Sequence, residues 1–141
     1  MGLTKVTATV TNIGGNGDAF EALFMVDTGA TDCMAPGEEL RRIGIREVGR
    51  MTYELADGSV RELPYGLVQI EFLGEITAGR IIFGDPGSEP LLGVTALESV
   101  GIMVDPVNMT LKRLPAIPLK GIRKYWSVKV SWEKETFQVS C

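Results

Sequence analysis

From Lys5 to Gly84, clusters of Gly, Pro, Asn, Asp and Ser interrupt the chain. They recur roughly every 8 to 12 residues, a spacing that suits short strands joined by turns. The first run, "KVTATVTNI" (5–13), sets Val6, Ala8 and Val10 on one side and Thr7, Thr9 and Thr11 on the other, the period of a half-buried strand. "GGNGD" (14–18) is a turn, and "AFEALFMVD" (19–27) is a second strand that becomes wholly apolar near its end. "PGEELRRIG" (36–44) fits a short helical turn, with Pro36 near its start and Gly44 past its end. "MTYEL" (51–55), "ADGS" (56–59) and "VRELPYGLVQIEF" (60–72) form a hairpin and its continuation, and "EITAGRIIFG" (75–84) is one more strand. After the turn "DPGSE" (85–89) comes a short apolar "PLLG" (90–93). "VTALESVG" (94–101) then has helix formers and a terminal Gly, and "IMVD" and "MTLKRL" close the pattern as strands. The class this predicts is all-β, or mainly β, with one modest helix.

The residues that are missing restrict the chemistry. The chain has no His and only two Cys, Cys33 and Cys141. Ser-His and Cys-His nucleophiles, His bases and a Cys/His zinc site are therefore excluded, and neither a metal nor a cofactor is expected. Cys33 reads as a small buried hydrophobe. No GxxxxGK[ST] run is present, and "IGGNGDA" (13–19) lacks the spacing of a dinucleotide loop, so a strand-to-strand turn is the better reading. The N-terminal residues do not have the form of a signal peptide, and no segment has the length and apolarity of a membrane span. The expectation is a cytoplasmic protein with no membrane partner. Acid–base chemistry is left to carboxylates, Lys and Tyr.

One carboxylate is out of place. In "FMVDTGATDCM" (24–34), Asp27 ends an apolar strand, although Asp has poor strand and core propensity. Asp can simply open a turn there. Yet Gly29 and Ala30 leave little bulk beside it, which suits the close approach of another backbone or of a substrate.

"VDTGAT" (26–31), then "LADGS" (55–59), then "PLLGVTAL" (90–97), resemble in order and spacing the retropepsin-like (clan AA) aspartic proteases, and their short prokaryotic members most. The resemblance covers about residues 4 to 114. It implies a closed, barrel-like single lobe with a flap hairpin, acting as an aspartic endopeptidase on extended peptide or protein substrates. By the same resemblance Asp27, Thr28 and Gly29 are catalytic: Asp27 activates the attacking water, Thr28 fixes the geometry across a dimer axis, and Gly29 offers backbone near the substrate. Ala30 and Thr31 border the cleft, and Ala56, Asp57 and Gly58 form the flap tip over bound peptide. Leu91, Leu92 and Gly93 support the Asp27 loop from below. Tyr53 and Tyr65 either line the cleft or pack within the hairpin. The family often has an acid or a small residue where Thr31 stands, with Asp32 following here, so substrate preference does not carry over.

This chemistry uses two carboxylates, and the chain carries one Asp-Thr-Gly. Asp85 and Asp105 each precede a Pro and read as turn residues, and Glu98 lies on the expected helix. The partner expected for Asp27 is Asp27 of a second copy, brought to it by a two-fold axis. A non-catalytic dimeric module of the same fold, binding peptides or proteins, is the alternative.

Residues 1–114 are expected to form the domain, and 115–141 an extension. The charge changes along the chain: residues 1–119 carry a net −7 and residues 120–141 a net +3, within a total of −4. In "YWSVKVSWEKETFQV", Trp126, Val128, Val130 and Trp132 alternate with polar residues, the pattern of a further strand or of an appended segment that covers an edge. An acidic main body argues against nucleic acid as a partner.

Overall fold

The computed structural model describes residues 4–119, 127–131 and 136–140. Its strands in chain order are β1 (Lys5–Thr11), β2 (Phe20–Val26), β3 (Cys33–Pro36), β4 (Gly49–Glu54), β5 (Val60–Phe72), β6 (Glu75–Gly84), β7 (Leu91–Leu92), β8 (Ile102–Asp105) and β9 (Thr110–Arg113). Two six-residue helices, α1 (Gly37–Arg42) and α2 (Val94–Ser99), lie between them. The protein is mainly β; the one modest helix expected is α2, and the short helical turn expected at 36–44 is the six-residue α1. Leu40 explains α1: it is fully buried, which stabilises by about 1.5–3 kcal/mol and offsets the low intrinsic stability of so short a helix.

The strand order β1-β2-β7-β3-β6-β5 closes on itself through β1–β5 pairing, so six strands make a barrel and β4 extends from β5. The alternation seen in the sequence places the side chains. Val6, Ala8 and Val10 are buried, while Lys5 and Thr7 are exposed. In β6, Ile81, Ile82 and Phe83 are buried in succession, as befits a strand covered on both sides. Phe24, Ile70, Phe72, Leu92 and Leu97 meet in the core.

β5 changes partner halfway along. Residues 60–65 pair with β4, and residues 65–72 pair with β6. The buried positions change parity at the same place, from Leu63 to Gly66, Val68, Ile70 and Phe72. Gly66 is required there, since a Cβ would lie 2.8 Å from the Arg46 carbonyl oxygen. The outer half of β5 and β4 thus form a hairpin that projects beyond the barrel.

β3 was not foreseen. Its four residues show no alternation, because Cys33, Ala35 and Pro36 are all buried. β7 inserts beside it, parallel to β2 and antiparallel to β3. β8 and β9 form a separate antiparallel pair. That pair is tied back by Thr4 Oγ1, which donates to the Met109 carbonyl, and by the Arg113–Glu75 ion pair. Beyond Leu114, Ile117 still packs on Gly101. Further on, β10 (Ser127–Ser131) and β11 (Thr136–Ser140) pair with each other. Trp126 and Trp132 of the alternating tail segment lie outside the described residues. Among the described residues no helix is long and apolar enough to cross a membrane.

Candidate active site

Asp27 is the first residue after β2, where the chain leaves the barrel wall. Its amide donates to the Leu92 carbonyl at 3.1 Å, so the inserted β7 fixes the start of the turn. Its carbonyl accepts from the Ala30 amide at 3.1 Å, and its Oδ1 accepts from the Gly29 amide at 2.9 Å. The side chain is half-buried, and Thr28 and Gly29 are exposed. A carboxylate is thereby held in a fixed orientation at a solvent-facing turn, backed by the buried Val26 and Leu92.

The turn rests on Gly93 and α2. The Val94 amide donates to the Ala30 carbonyl at 2.8 Å and the Thr95 amide to the Thr31 carbonyl at 3.2 Å. These two bonds satisfy N–H groups that the first turn of a helix otherwise leaves without partners. Gly93 is packed so tightly that a Cβ would lie 2.6 Å from the Asp32 carbonyl oxygen. Its amide points to Cys33 Sγ at 3.4 Å. Burial pushes the Cys33 thiol up to about 11, against the lowering effect of that Gly93 contact, so it remains protonated and inert. Leu91, Leu92 and Gly93 therefore lie directly beside the Asp27–Thr31 turn.

Ala56, Asp57 and Gly58 occupy the tip of the β4–β5 hairpin, all exposed. The tip is closed by the Leu55 amide bound to the Ser59 carbonyl and the Gly58 amide bound to the Leu55 carbonyl. Gly58 has φ +85°, a conformation that favours glycine. Asp57 Oδ1 accepts from both the Ser59 amide and hydroxyl, which lowers its pKa.

The structure adds a group of residues that the motifs did not single out. The Tyr53 hydroxyl, on β4, donates to Asp32 Oδ2 at 2.6 Å. Burial first, then the bond to Asp32, pushes the Tyr53 phenol up to about 12. The Arg80 guanidinium, on β6, stacks 4.6 Å from the centre of the Tyr65 ring. The sequence left Tyr53 either lining the cleft or packing within the hairpin. The missing signal was its partner, since Asp32 lies in a turn without periodicity.

Two of the other acids considered, Asp85 and Asp105, are engaged elsewhere, and Glu98 lies exposed on α2. Asp85 pairs with Arg61 at 3.1 Å. Asp105 accepts from Val107, from Asn108 and from Lys112. Neither makes a hydrogen bond with Asp27. Among the described residues there is no group of three or more His, Cys, Asp or Glu side chains able to hold a metal ion. In comparisons with known proteins, no family model matches the chain. No curated protein matches it either.

Proposed function

We propose that the protein is an aspartic endopeptidase of the retropepsin-like kind, in which two copies each contribute Asp27 to one active site. The observation that carries this reading is the Asp27 turn itself. A half-buried carboxylate accepts from the Gly29 amide, the Asp27 backbone amide is held by the Leu92 carbonyl, and the β4–β5 hairpin reaches the same loop through Tyr53 and Asp32. Two such carboxylates brought close together share one proton, since like charges at short range do not both ionise readily. The ionised one takes a proton from water as the oxygen attacks the peptide carbonyl. The protonated one donates to the carbonyl oxygen. Collapse of the tetrahedral intermediate then passes a proton to the departing amine. In this reading Thr28, exposed beside Asp27, bonds across the axis, and Gly29, Ala30 and Thr31 border the substrate. Ala56, Asp57 and Gly58 cover it from the hairpin.

A second reading has its own support. Among the described residues β4 pairs only with β5, so its outer edge offers backbone groups to an extended peptide whether or not the peptide is cut. A dimeric peptide-binding module would use that edge without needing Asp27. Incubation with an unfolded protein at mildly acidic and neutral pH, beside Asp27→Asn, separates the two. Fragments from the wild type and none from the variant support proteolysis. Binding without fragments from either supports the module.

A further inference from the structure

The hairpin is fastened at two heights. At its base the Tyr65 ring lies against Gly49, where a Cβ would meet the Tyr65 hydroxyl at 2.6 Å, and Arg80 stacks on the same ring. Halfway up, on the face shared by the half-buried Met51, Tyr53 and Leu55, the Tyr53 hydroxyl reaches Asp32. Asp32 belongs to the loop that begins at Asp27. Its backbone is pressed onto Gly93 and its neighbour Thr31 is bonded to α2, so this anchor is rigid. Beyond this height the Leu55–Ser59 tip makes only hydrogen bonds within itself among the described residues.

We propose that Tyr53 is a positioning residue whose bond to Asp32 latches the β4–β5 hairpin against the Asp27 loop. The bond is short, 2.6 Å, and its acceptor is a carboxyl oxygen, and charge-assisted hydrogen bonds are the strong ones. It joins two segments of the same chain, so each copy controls its own hairpin. Opening the hairpin requires the bond to break, and closing it re-forms the bond. Its consequence for catalysis, namely that closure precedes chemistry at Asp27, rests on the proteolysis reading above. The latch itself does not.

The test is amide hydrogen exchange of the full chain, followed by mass spectrometry, for wild type, Tyr53→Phe, Asp32→Ala and the double variant. Tyr53→Phe keeps the ring and removes only the donor. It is expected to speed exchange in residues 50–59 by about tenfold or more, the factor that corresponds to a hydrogen bond to a charged group. Exchange in β1 and β2 stays as in wild type, which a general loss of stability does not allow. Asp32→Ala gives the same local change, and the double variant adds nothing further. Unchanged hairpin exchange in Tyr53→Phe overturns the latch, as does acceleration spread over the whole barrel. Tyr53→Phe alone decides the matter if Asp32→Ala does not fold. Cleavage assays on the same samples keep the two readings apart. Local acceleration in a chain that cuts nothing removes the proteolysis reading and leaves the latch standing. Unchanged exchange beside normal cleavage does the reverse.

Discussion

Single residues at this site have separable duties. Asp27→Asn is nearly isosteric and keeps an acceptor for the Gly29 amide, so the fold is expected to survive. Cleavage is expected to fall to no more than a few per cent of wild type, because an amide does not accept the proton of the attacking water. An assay with unfolded protein beside a thermal melt checks both halves. Gly93→Ala acts in the opposite way. It leaves every chemical group in place but forces a Cβ against the Asp32 carbonyl oxygen, 2.6 Å away. The expected cost is about 1–3 kcal/mol of stability, read as a lower Tm, with displacement of the Asp27 loop. Asp105 supplies a pH test. Its bonds from Asn108, then from Val107 and Lys112, hold its pKa down at about 2, from an ordinary 3.8. A carboxylate with a depressed folded pKa stabilises the protein above its unfolded pKa and loses that contribution as pH falls through the folded value. Melts between about pH 5 and pH 2 are expected to show a shallower loss of Tm for Asp105→Asn than for wild type, because that one contribution no longer varies across the window.

At the scale of elements, what the sequence revealed follows its periodicity. β1, β2, β5 and β6 were legible because Val6, Ala8, Val10, Val68 and Ile70 repeat at period 2 or sit within apolar runs. The Asp27 turn and the hairpin tip were legible because Gly29 and Gly58 mark them in the sequence. β3 was not, since a four-residue strand buried at Cys33, Ala35 and Pro36 has no polar face to alternate with. The insertion of β7 between β2 and β3 was hidden from periodicity, and only the family resemblance put Leu91, Leu92 and Gly93 beneath the Asp27 loop. The insertion joins residues 25–26 to 91–92, and nothing local encodes so distant a pairing. The Tyr53–Asp32 contact was hidden for the same reason. The extension is a different case. All the strands of the barrel lie before residue 93. Deleting residues 120–141 is therefore expected to leave a β-type circular dichroism spectrum and a cooperative melt. A disordered spectrum would make the extension part of the fold.

For the whole molecule, the argument turns on how many carboxylates one chain brings to the site. Asp32, the nearest other acid along the chain, accepts from Tyr53, and Asp85 and Asp105 have partners of their own. Asp27 shares no hydrogen bond with another carboxyl group among the described residues, so under the proposed mechanism a single copy would present half of the chemistry. Under the proposed shared site, specific activity is expected to fall on dilution in step with the dimer fraction, and to approach zero well below the dimer dissociation constant. Adding Asp27→Asn to wild type is expected to poison the enzyme, because each mixed dimer holds one carboxylate and one amide. With equal amounts and free exchange, about a quarter of the dimers keep both carboxylates, so activity per wild-type chain falls to roughly half. Thr28→Ala is expected to raise the dissociation constant, since a hydrogen bond lost across the axis leaves its partner unsatisfied at a cost of about 1–3 kcal/mol. Initial rate against enzyme concentration, with mass measured in parallel by sedimentation, checks all three. A monomer that cuts at full specific activity would falsify the shared site. The second acid would then have to come from the same chain, and Asp32, released from Tyr53, would be the first to test by substitution.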